Sequence, residues 1–408
     1  MMDYEISEMA AQLEAEINPD AMSEDELQGI VGKELEDAID YADNYVSPLR
    51  ATATEYYRGD PFGNEEEGRS QVVSMDVRDT VQAIMPSLMR IFHSTENTVE
   101  YAPQGPEDVA AAKQATQYAN FIINRDNNGF LHMHAAFKDA LIRKVGILKC
   151  YWDDQTRIET SDLTGLDDAA LAALYADPDA EINIVASEPI GDPDFDPMTG
   201  EILPAPMMHS VRVSYTYPDG RVKLEAVPPE EFLISREAKD IESSDYVAHR
   251  RIVTVSELVA MGYDAEEVEG LASAHDDMNR NVERHTRNPS LINEMNERDD
   301  PAMRKVLYVE NYIKVDYDGD GIAELRKICT AGDGNTILMN EPCSIVPFAS
   351  FCPDPEAHDF FGMSVADAVM DIQKIKSSIM RNTLDSLSMS IHPRVAVVEG
   401  MVNLEDVL

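Results

Sequence analysis

The sequence has few basic residues for its length. Its 408 residues include 33 Lys and Arg against 77 Asp and Glu, which gives a formal net charge of −44. A protein that grips nucleic acid normally shows a basic footprint, because neutralising phosphates supplies most of the sequence-independent affinity. The composition therefore argues against a protein that binds DNA tightly through electrostatic attraction. It leaves two interpretations open: a soluble protein dispersed by self-repulsion, or a surface that DNA passes without sticking.

Several other features are scarce or missing. No stretch approaches the roughly 20 apolar residues of a membrane span, and we expect neither a signal peptide nor a membrane partner. The four cysteines show no Cys-x-x-Cys spacing, which favours a reducing compartment and argues against a zinc site or a disulfide framework. Phosphate-binding, dinucleotide-binding, nucleophile-elbow and His-Glu-x-x-His motifs are all lacking in the sequence. We therefore expect no enzyme and no required cofactor.

Apolar periodicity predicts a mixed α+β fold, with a helical N-terminal region, a mostly antiparallel β region and a long amphipathic helix. The first helical stripe comprises Leu35, Ile39, Ala42, Tyr45 and Leu49. Further helices are predicted at residues 74–92, from residue 106 and at 131–144, followed by a strand at 147–152. Strand pairs are predicted at 210–217 with 221–227 and at 306–315 with 322–329.

The long helix is predicted at residues 364–390, with Ser364 as its N-cap and Asp367 as a weaker capping-box acid. Its predicted apolar stripe comprises Val365, Val369, Ile372, Ile375, Ile379, Leu384 and Leu387. This stripe and the helical N-terminal region are candidate surfaces for contact between subunits, and ordinary packing within one subunit is an equal alternative.

Composition divides the chain into four segments. Residues 1–32 lack Lys and Arg and are predicted to form an acidic flexible arm with a short helix at 6–17. Residues 33–150 are helical, 151–363 are β-rich, and 364–408 contain the long helix and a strand at 394–398. Within the β-rich segment, residues 158–211 again lack Lys and Arg and carry twelve acidic residues, which predicts an exposed insertion with a helix at 167–175. A helix at 254–261 follows, and the polar residues 264–304 are predicted to include a flexible loop.

One local motif could bind a cation. Carboxylates stand at positions 1, 3, 5 and 9 of the stretch that begins at Asp316, and position 6 is a glycine. The candidate ligands are Asp316, Asp318, Asp320, the backbone carbonyl of Ile322, and Glu324. Hard cations such as Ca²⁺ favour such oxygens, but Lys327 replaces the bidentate Glu that an EF-hand needs at position 12. A calcium-binding hairpin loop and a solvated Asp-Gly turn both remain open.

Several motifs resemble, in the same order, the portal proteins of short-tailed, podovirus-like bacteriophages. They are Tyr-Tyr-Arg-Gly-Asp at 56–60, Gly-Arg-Ser-Gln at 68–71, Asp-Val-Arg-Asp-Thr-Val at 76–81, Val-Pro-Pro-Glu-Glu-Phe at 227–232, the hairpin at 312–328, Phe-Gly-Met-Ser at 361–364 and His-Pro-Arg at 392–394. Together they span roughly residues 35–400, and none is a catalytic fingerprint.

The resemblance implies an α+β protomer with a wing-like region at 33–150, assembled into a ring of about twelve copies around a DNA channel. It implies a virion protein at a capsid vertex, present in the host cytoplasm during assembly, that serves genome packaging, ejection and head–tail joining. Expected partners are double-stranded DNA, terminase, capsid and scaffolding proteins, and tail or head-completion proteins. The resemblance also implies that this chain is the N-terminal portion of a longer protein. It identifies neither the residues of the DNA channel nor those of the oligomer interface.

Two alternatives come from other functional classes. A metal-dependent phosphodiesterase or nuclease could use the acidic cluster at 316–324, although a packed Asp-x-Asp-Gly-Asp-Gly turn favours calcium geometry over a two-metal catalytic site. An acidic calcium-binding interaction module would use the same loop without forming a ring.

Overall fold

The structure is a computed structural model that describes residues 22–93, 98–154, 156–177, 180–189, 194–195, 202–203, 207–273, 282–289, 300–332 and 335–391. These residues form helices and antiparallel sheets, so the predicted α+β fold is confirmed. The helix predicted at 6–17 and the strand predicted at 394–398 lie outside them. Within these ranges, no helix is both long enough and apolar enough to cross a membrane.

The chain divides into two compact units. The second unit runs from Cys150 to Lys223, and the first contains the described residues on either side of it. The acidic insertion predicted at residues 158–211 lies within the second unit.

The first unit begins with helices. They are α1 (Glu24–Tyr41), α2 (Ser47–Arg58), α3 (Asp76–His93), α4 (Val109–Phe121) and α5 (Gly129–Arg143). The Ser23 hydroxyl accepts a hydrogen bond from the Glu26 amide and caps α1, so this helix begins well before Lys33. Gly59, in the left-handed conformation with φ 78°, ends α2. Helix α3 continues through Pro86, and α4 begins at Val109, after the predicted start at residue 106.

A π-helical turn at Ala42–Val46 joins α1 directly to α2. Such a turn adds a residue to one helical turn and rotates the following side chains relative to those before it. Before the turn, Leu35 is buried as predicted. At and after the turn, Val46 is buried, and the predicted Tyr45 and Leu49 are exposed instead. The predicted stripe was wrong beyond this turn.

Two antiparallel sheets complete the first unit. The larger has the order β12-β11-β10-β9-β8, and the smaller has the order β13-β1-β7. Their strands are β1 (Gly146–Asp153), β7 (Arg221–Val227), β8 (Phe232–Ile234), β9 (Tyr246–Thr254), β10 (Lys305–Val315), β11 (Glu324–Ala331), β12 (Thr336–Pro342) and β13 (Phe348–Phe351). Helix α1 packs its apolar face on the larger sheet, where Leu27 and Val31 meet Leu233 and Val309 in one buried cluster.

The second unit is built on a three-stranded sheet of order β2-β6-β3. Its strands are β2 (Thr156–Leu166), β3 (Ala180–Pro189) and β6 (Met207–Pro218), with the short pair β4 (Asp194–Phe195) and β5 (Ile202–Leu203). Helix α6 (Asp168–Tyr175), capped by Asp167, packs Leu171 against Val211 and Val213 of β6. The predicted pairing of residues 210–217 with 221–227 was wrong. Strand β6 is bonded on both edges by β2 and β3, which leaves no edge for β7.

Short helices occupy the described residues between β9 and β10. Helix α7 (Val255–Ala260) lies within the helix predicted at 254–261 and is capped by Thr254, and α8 (Ala265–Gly270) and α9 (Val282–Arg287) follow. A short 3-10 turn at Pro301–Met303 leads into β10. The flexible loop predicted within residues 264–304 stays a prediction, because residues 274–281 and 290–299 lie outside the described part of the chain.

The last described element is the long helix α10 (Val365–Ile391). The Ser364 hydroxyl accepts from the Asp367 amide at 3.0 Å, and the Asp367 carboxylate accepts from the Ser364 amide at 2.8 Å, so the predicted cap is confirmed. The buried residues of the helix are Ala366, Gln373, Ser377 and Arg381. The predicted apolar stripe is exposed from Ile372 onward, because in this part of α10 the side chains that face the rest of the unit are polar.

Candidate functional site

The predicted cation-binding motif forms the turn between β10 and β11. Val315 pairs with Glu324 at the end of the ladder, so residues 316–323 form the loop itself. Gly319 and Gly321 adopt left-handed φ values of 76° and 89°, which side chains with a Cβ rarely tolerate. The flanking strands confirm that this loop does not belong to a helix–loop–helix EF-hand.

The acidic side chains of the loop converge. Ligand oxygens of Asp316, Asp318, Asp320 and Glu324 all lie within 4.8 Å of one another. Their carboxylates also accept hydrogen bonds from loop amides: Asp316 from Gly319 and Gly321, both at 2.9 Å, and Glu324 from Tyr317 at 3.2 Å. These bonds stabilise the turn without any ion. The geometry therefore brings the predicted carboxylates together and is compatible with either a calcium loop or a simple turn.

The remaining positions of the motif are Ile322 and Lys327. The Ile322 amide donates to Asp320 at 2.7 Å, and the Ile322 side chain is exposed. Lys327 lies on β11 opposite Tyr312, away from the loop, so the twelfth position contributes no oxygen ligand.

A second group of charged residues was missed by sequence reasoning. It is a buried ionic cluster of six side chains on α2, α5, α9 and the loop before β8. We call it the Glu283 cluster, and its members are Arg50, Asp139, Arg143, Glu230, Glu283 and Arg287. Helix α9 supplies Glu283 and Arg287 from the polar segment at 264–304, which was predicted to include a flexible loop. The charged residues of α9 look like an ordinary solvent-exposed charged segment, so no local signal could have placed them in the interior.

The Glu283 carboxylate is the centre of this cluster. Its side chain is fully buried and lies 3.5 Å from Arg50 and 3.6 Å from Arg143. Burial raises the pKa of Glu283 to about 7 despite these guanidinium groups, and Glu230 adds to the rise. Arg287 makes a 2.8 Å ion pair with Glu230. With three acidic and three basic members, the cluster holds α9 against α2 and α5.

The inner face of α10 is a third polar site. Gln373 accepts from the Val77 amide and donates to the Tyr56 carbonyl, both at 2.9 Å. The Ser377 hydroxyl accepts from the Ser74 amide at 2.9 Å, and Arg381 donates to the Val72 carbonyl at 2.9 Å. These contacts satisfy backbone groups near the end of α2, in the irregular segment before α3 and in the first turn of α3.

All three sites hold parts of the fold together. The loop carboxylates accept hydrogen bonds from loop amides, the Glu283 cluster joins α9 to α2 and α5, and the polar side chains of α10 bond to backbone groups of other segments.

Comparison with known proteins gives one informative result. A family model described as the phage SU10 portal protein matches residues 27–408. No curated protein sequence matches the chain. Among solved structures, an alpha-mannosidase from Enterococcus faecalis V583 aligns over 79% of this chain at 11% identity and a TM-score of 0.08. The aligned part is 45% of that structure's length, and a similarity this low carries no argument about fold or activity.

Proposed function

The chain belongs to the phage SU10 portal protein family, and from that premise we propose that it forms a ring around double-stranded DNA at a capsid vertex. The family is one of structural proteins, so the role of the chain is structural. The proposed ring contains about twelve copies, related by a closed rotation with heterologous contacts. It would admit the genome during packaging, release it during ejection and join the head to the tail.

The family match carries this proposal, and the charge supports it. A conduit must let phosphates slide, and many Lys or Arg contacts would hold DNA in place. The net charge of −44 agrees with weak attraction. The proposed partners are terminase, capsid and scaffolding proteins, and tail or head-completion proteins. The proposed location is the virion, after assembly in the host cytoplasm.

Electron microscopy and native mass spectrometry of the full-length protein test the ring. The expected result is a closed ring with a central channel and a single dominant stoichiometry. Only monomers or dimers, across salt and protein concentrations that cover assembly conditions, would overturn the proposal and favour an acidic interaction module.

A DNA cleavage assay with Mg²⁺, Mn²⁺ or Ca²⁺ tests the enzymatic alternative. We expect no divalent-dependent cleavage above a buffer control. Cleavage that Asp318→Asn abolishes would overturn the purely structural role.

We further propose that the loop at 316–324 binds Ca²⁺ and thereby stabilises the β10–β11 hairpin. The convergence of four carboxylates supports this proposal, because a divalent cation would offset their mutual repulsion. The ligands would be Asp316, Asp318, Asp320, Glu324 and the Ile322 carbonyl.

Thermal unfolding with and without millimolar Ca²⁺ tests the loop. We expect the Tm of the parent to rise, and Asp316→Ala and Asp320→Ala to remove the rise. Asp219→Ala is the matched control, since Asp219 also precedes a glycine in an exposed turn but lies outside the cluster. An equal Ca²⁺ response in all variants, or none in the parent, would leave only a structural turn.

A further inference from the structure

The outer face of α10 carries a strip of isoleucines on consecutive turns. We call it the isoleucine strip, and it consists of Ile372, Ile375 and Ile379, which are 59%, 62% and 60% exposed. Spacings of three and four residues place them on one face of the helix. Single exposed apolar residues are ordinary, but an aligned strip indicates a surface that another molecule covers.

The described residues of the first unit do not cover this strip. Ile375 lies two residues from both Gln373 and Ser377, a spacing that turns side chains about 200° apart on a helix. Those two residues are fully buried and bond to Val77, in the first turn of α3, and to Ser74, just before it. From Gln373 onward the inner face of α10 is thus occupied by polar contacts within the unit, and the isoleucine strip points the opposite way.

The charge of α10 indicates what kind of partner fits the strip. The helix contains three acidic and three basic residues, whereas the whole chain has 77 acidic and 33 basic residues. Two copies of a chain with a charge of −44 repel each other wherever acidic surfaces meet. A neutral helix with an apolar face is where a like-charged copy can approach at the lowest electrostatic cost.

The charged residues beside the strip agree with a second copy of the chain as the partner. Asp371 lies one turn before Ile375, and Lys376 lies one turn after Ile372, so both signs flank the strip. Lys376 already pairs with Asp76, and Arg381 with Glu65, which leaves little positive charge to attract an acidic ligand such as DNA.

We infer that the isoleucine strip is the surface through which one copy of the chain packs against a different face of the next copy. This inference rests on the proposed ring, because only a heterologous contact repeated by rotation closes a ring. The second copy buries the strip and removes its apolar surface from water.

Substitutions at Ile375 in the full-length protein test the inference. We expect Ile375→Asp and Ile375→Lys each to reduce the ring fraction at least tenfold in native mass spectrometry, while Ile375→Leu assembles like the parent. The two charged variants separate burial from net charge, because Lys reduces the repulsion between copies and Asp increases it. Ile345→Asp is the matched control, since Ile345 is 75% exposed and lies outside the strip. Circular dichroism and the Tm check that each variant is folded.

The outcomes separate this inference from the proposed function. If the parent never forms rings, the proposed function is overturned, and so is the inference that a second copy covers the isoleucine strip. Rings formed equally by the parent and both charged variants overturn the inference alone.

A photo-crosslinking residue at position 375 of the otherwise unchanged protein identifies the occupant directly. We expect a covalent dimer of the chain. A crosslink within one chain, or to a different virion protein, would show that something other than a second copy covers the strip, and it would overturn the inference.

Discussion

Helices α1 and α10 of the first unit show the same apolar periodicity and use it in opposite ways. Helix α1 buries Leu27, Val31 and Leu35 against the larger sheet. Helix α10 buries Gln373, Ser377 and Arg381 and exposes its isoleucines. Helix α1 also carries seven acidic residues and one basic residue, whereas α10 is neutral. A periodic stripe thus predicts that a face will be covered, and does not tell which molecule covers it.

The surfaces that the two helices meet explain the difference. Helix α1 faces a sheet whose backbone groups are already bonded within the ladder, so apolar side chains fill that contact. Helix α10 faces the irregular segment around residues 72–77, whose amides and carbonyls need partners. Polar side chains of α10 provide them, and its apolar side chains lie on the faces that remain.

The largest expected effect separates the two stripes. Val31→Asp places a carboxylate in the interior, and we expect it to lower the free energy of unfolding by about 4 kcal/mol or more. Ile375→Asp, measured at a concentration where copies do not associate, should stay within about 0.5 kcal/mol of the parent. Urea unfolding followed by circular dichroism measures both. Similar losses of stability in both variants would mean that the apolar faces of α1 and α10 are equally buried within the folded chain.

A smaller effect tests the polar face of α10. Gln373→Met keeps the volume but leaves the Val77 amide and the Tyr56 carbonyl without this partner. We expect a loss of roughly 1–3 kcal/mol in the free energy of unfolding. Gln114→Met on the exposed side of α4 is the control and should change stability little. Equal results would show that the polar contacts of α10 contribute nothing.

The N-terminus of α10 adds a pH dependence. Burial would raise the pKa of Asp367, but hydrogen bonds from Lys144 and Ser364, together with the Lys144 charge, lower it below 3.8. Because the pKa is lower in the folded state, the carboxylate stabilises the fold above its unfolded pKa, and this contribution is lost as the pH falls through the folded value.

Asp367→Asn should therefore reduce stability at pH 7, on the order of 1 kcal/mol because solvent screens this partly exposed pair. The difference from the parent should shrink as the pH falls below 3.8. Unfolding curves between pH 2 and 7 measure it. A difference that stays constant over this range would mean that the ionised carboxylate does not stabilise the helix.

The smallest expected effect is at the C-terminal end of α10. No residue from 382 to 391 is buried within the described part of the chain. Leu387→Asn should therefore change the free energy of unfolding by less than about 0.5 kcal/mol. A loss comparable to that of Gln373→Met would show that this end of the helix is covered within the folded chain.

The sequence by itself determined features that depend on neighbours in the chain. The cap at Ser364 and the helix at 254–261, which Thr254 caps, formed as predicted, and the β10–β11 hairpin formed around its Asp-Gly turn. The four carboxylates of the candidate site belong to one short loop, so their convergence could be predicted, while calcium binding stays a prediction. Turn geometry and capping involve groups a few residues apart, and local patterns therefore encode them.

Only the tertiary structure decided which partners distant residues meet. It placed Glu283 between Arg50 and Arg143, bonded β6 to β2 and β3, and turned the polar face of α10 inward. Each choice depends on the surfaces and unpaired backbone groups that other segments present, and no local pattern contains that information. The π-helical turn after α1 has the same character, because one added residue redirected every side chain that follows it in α2.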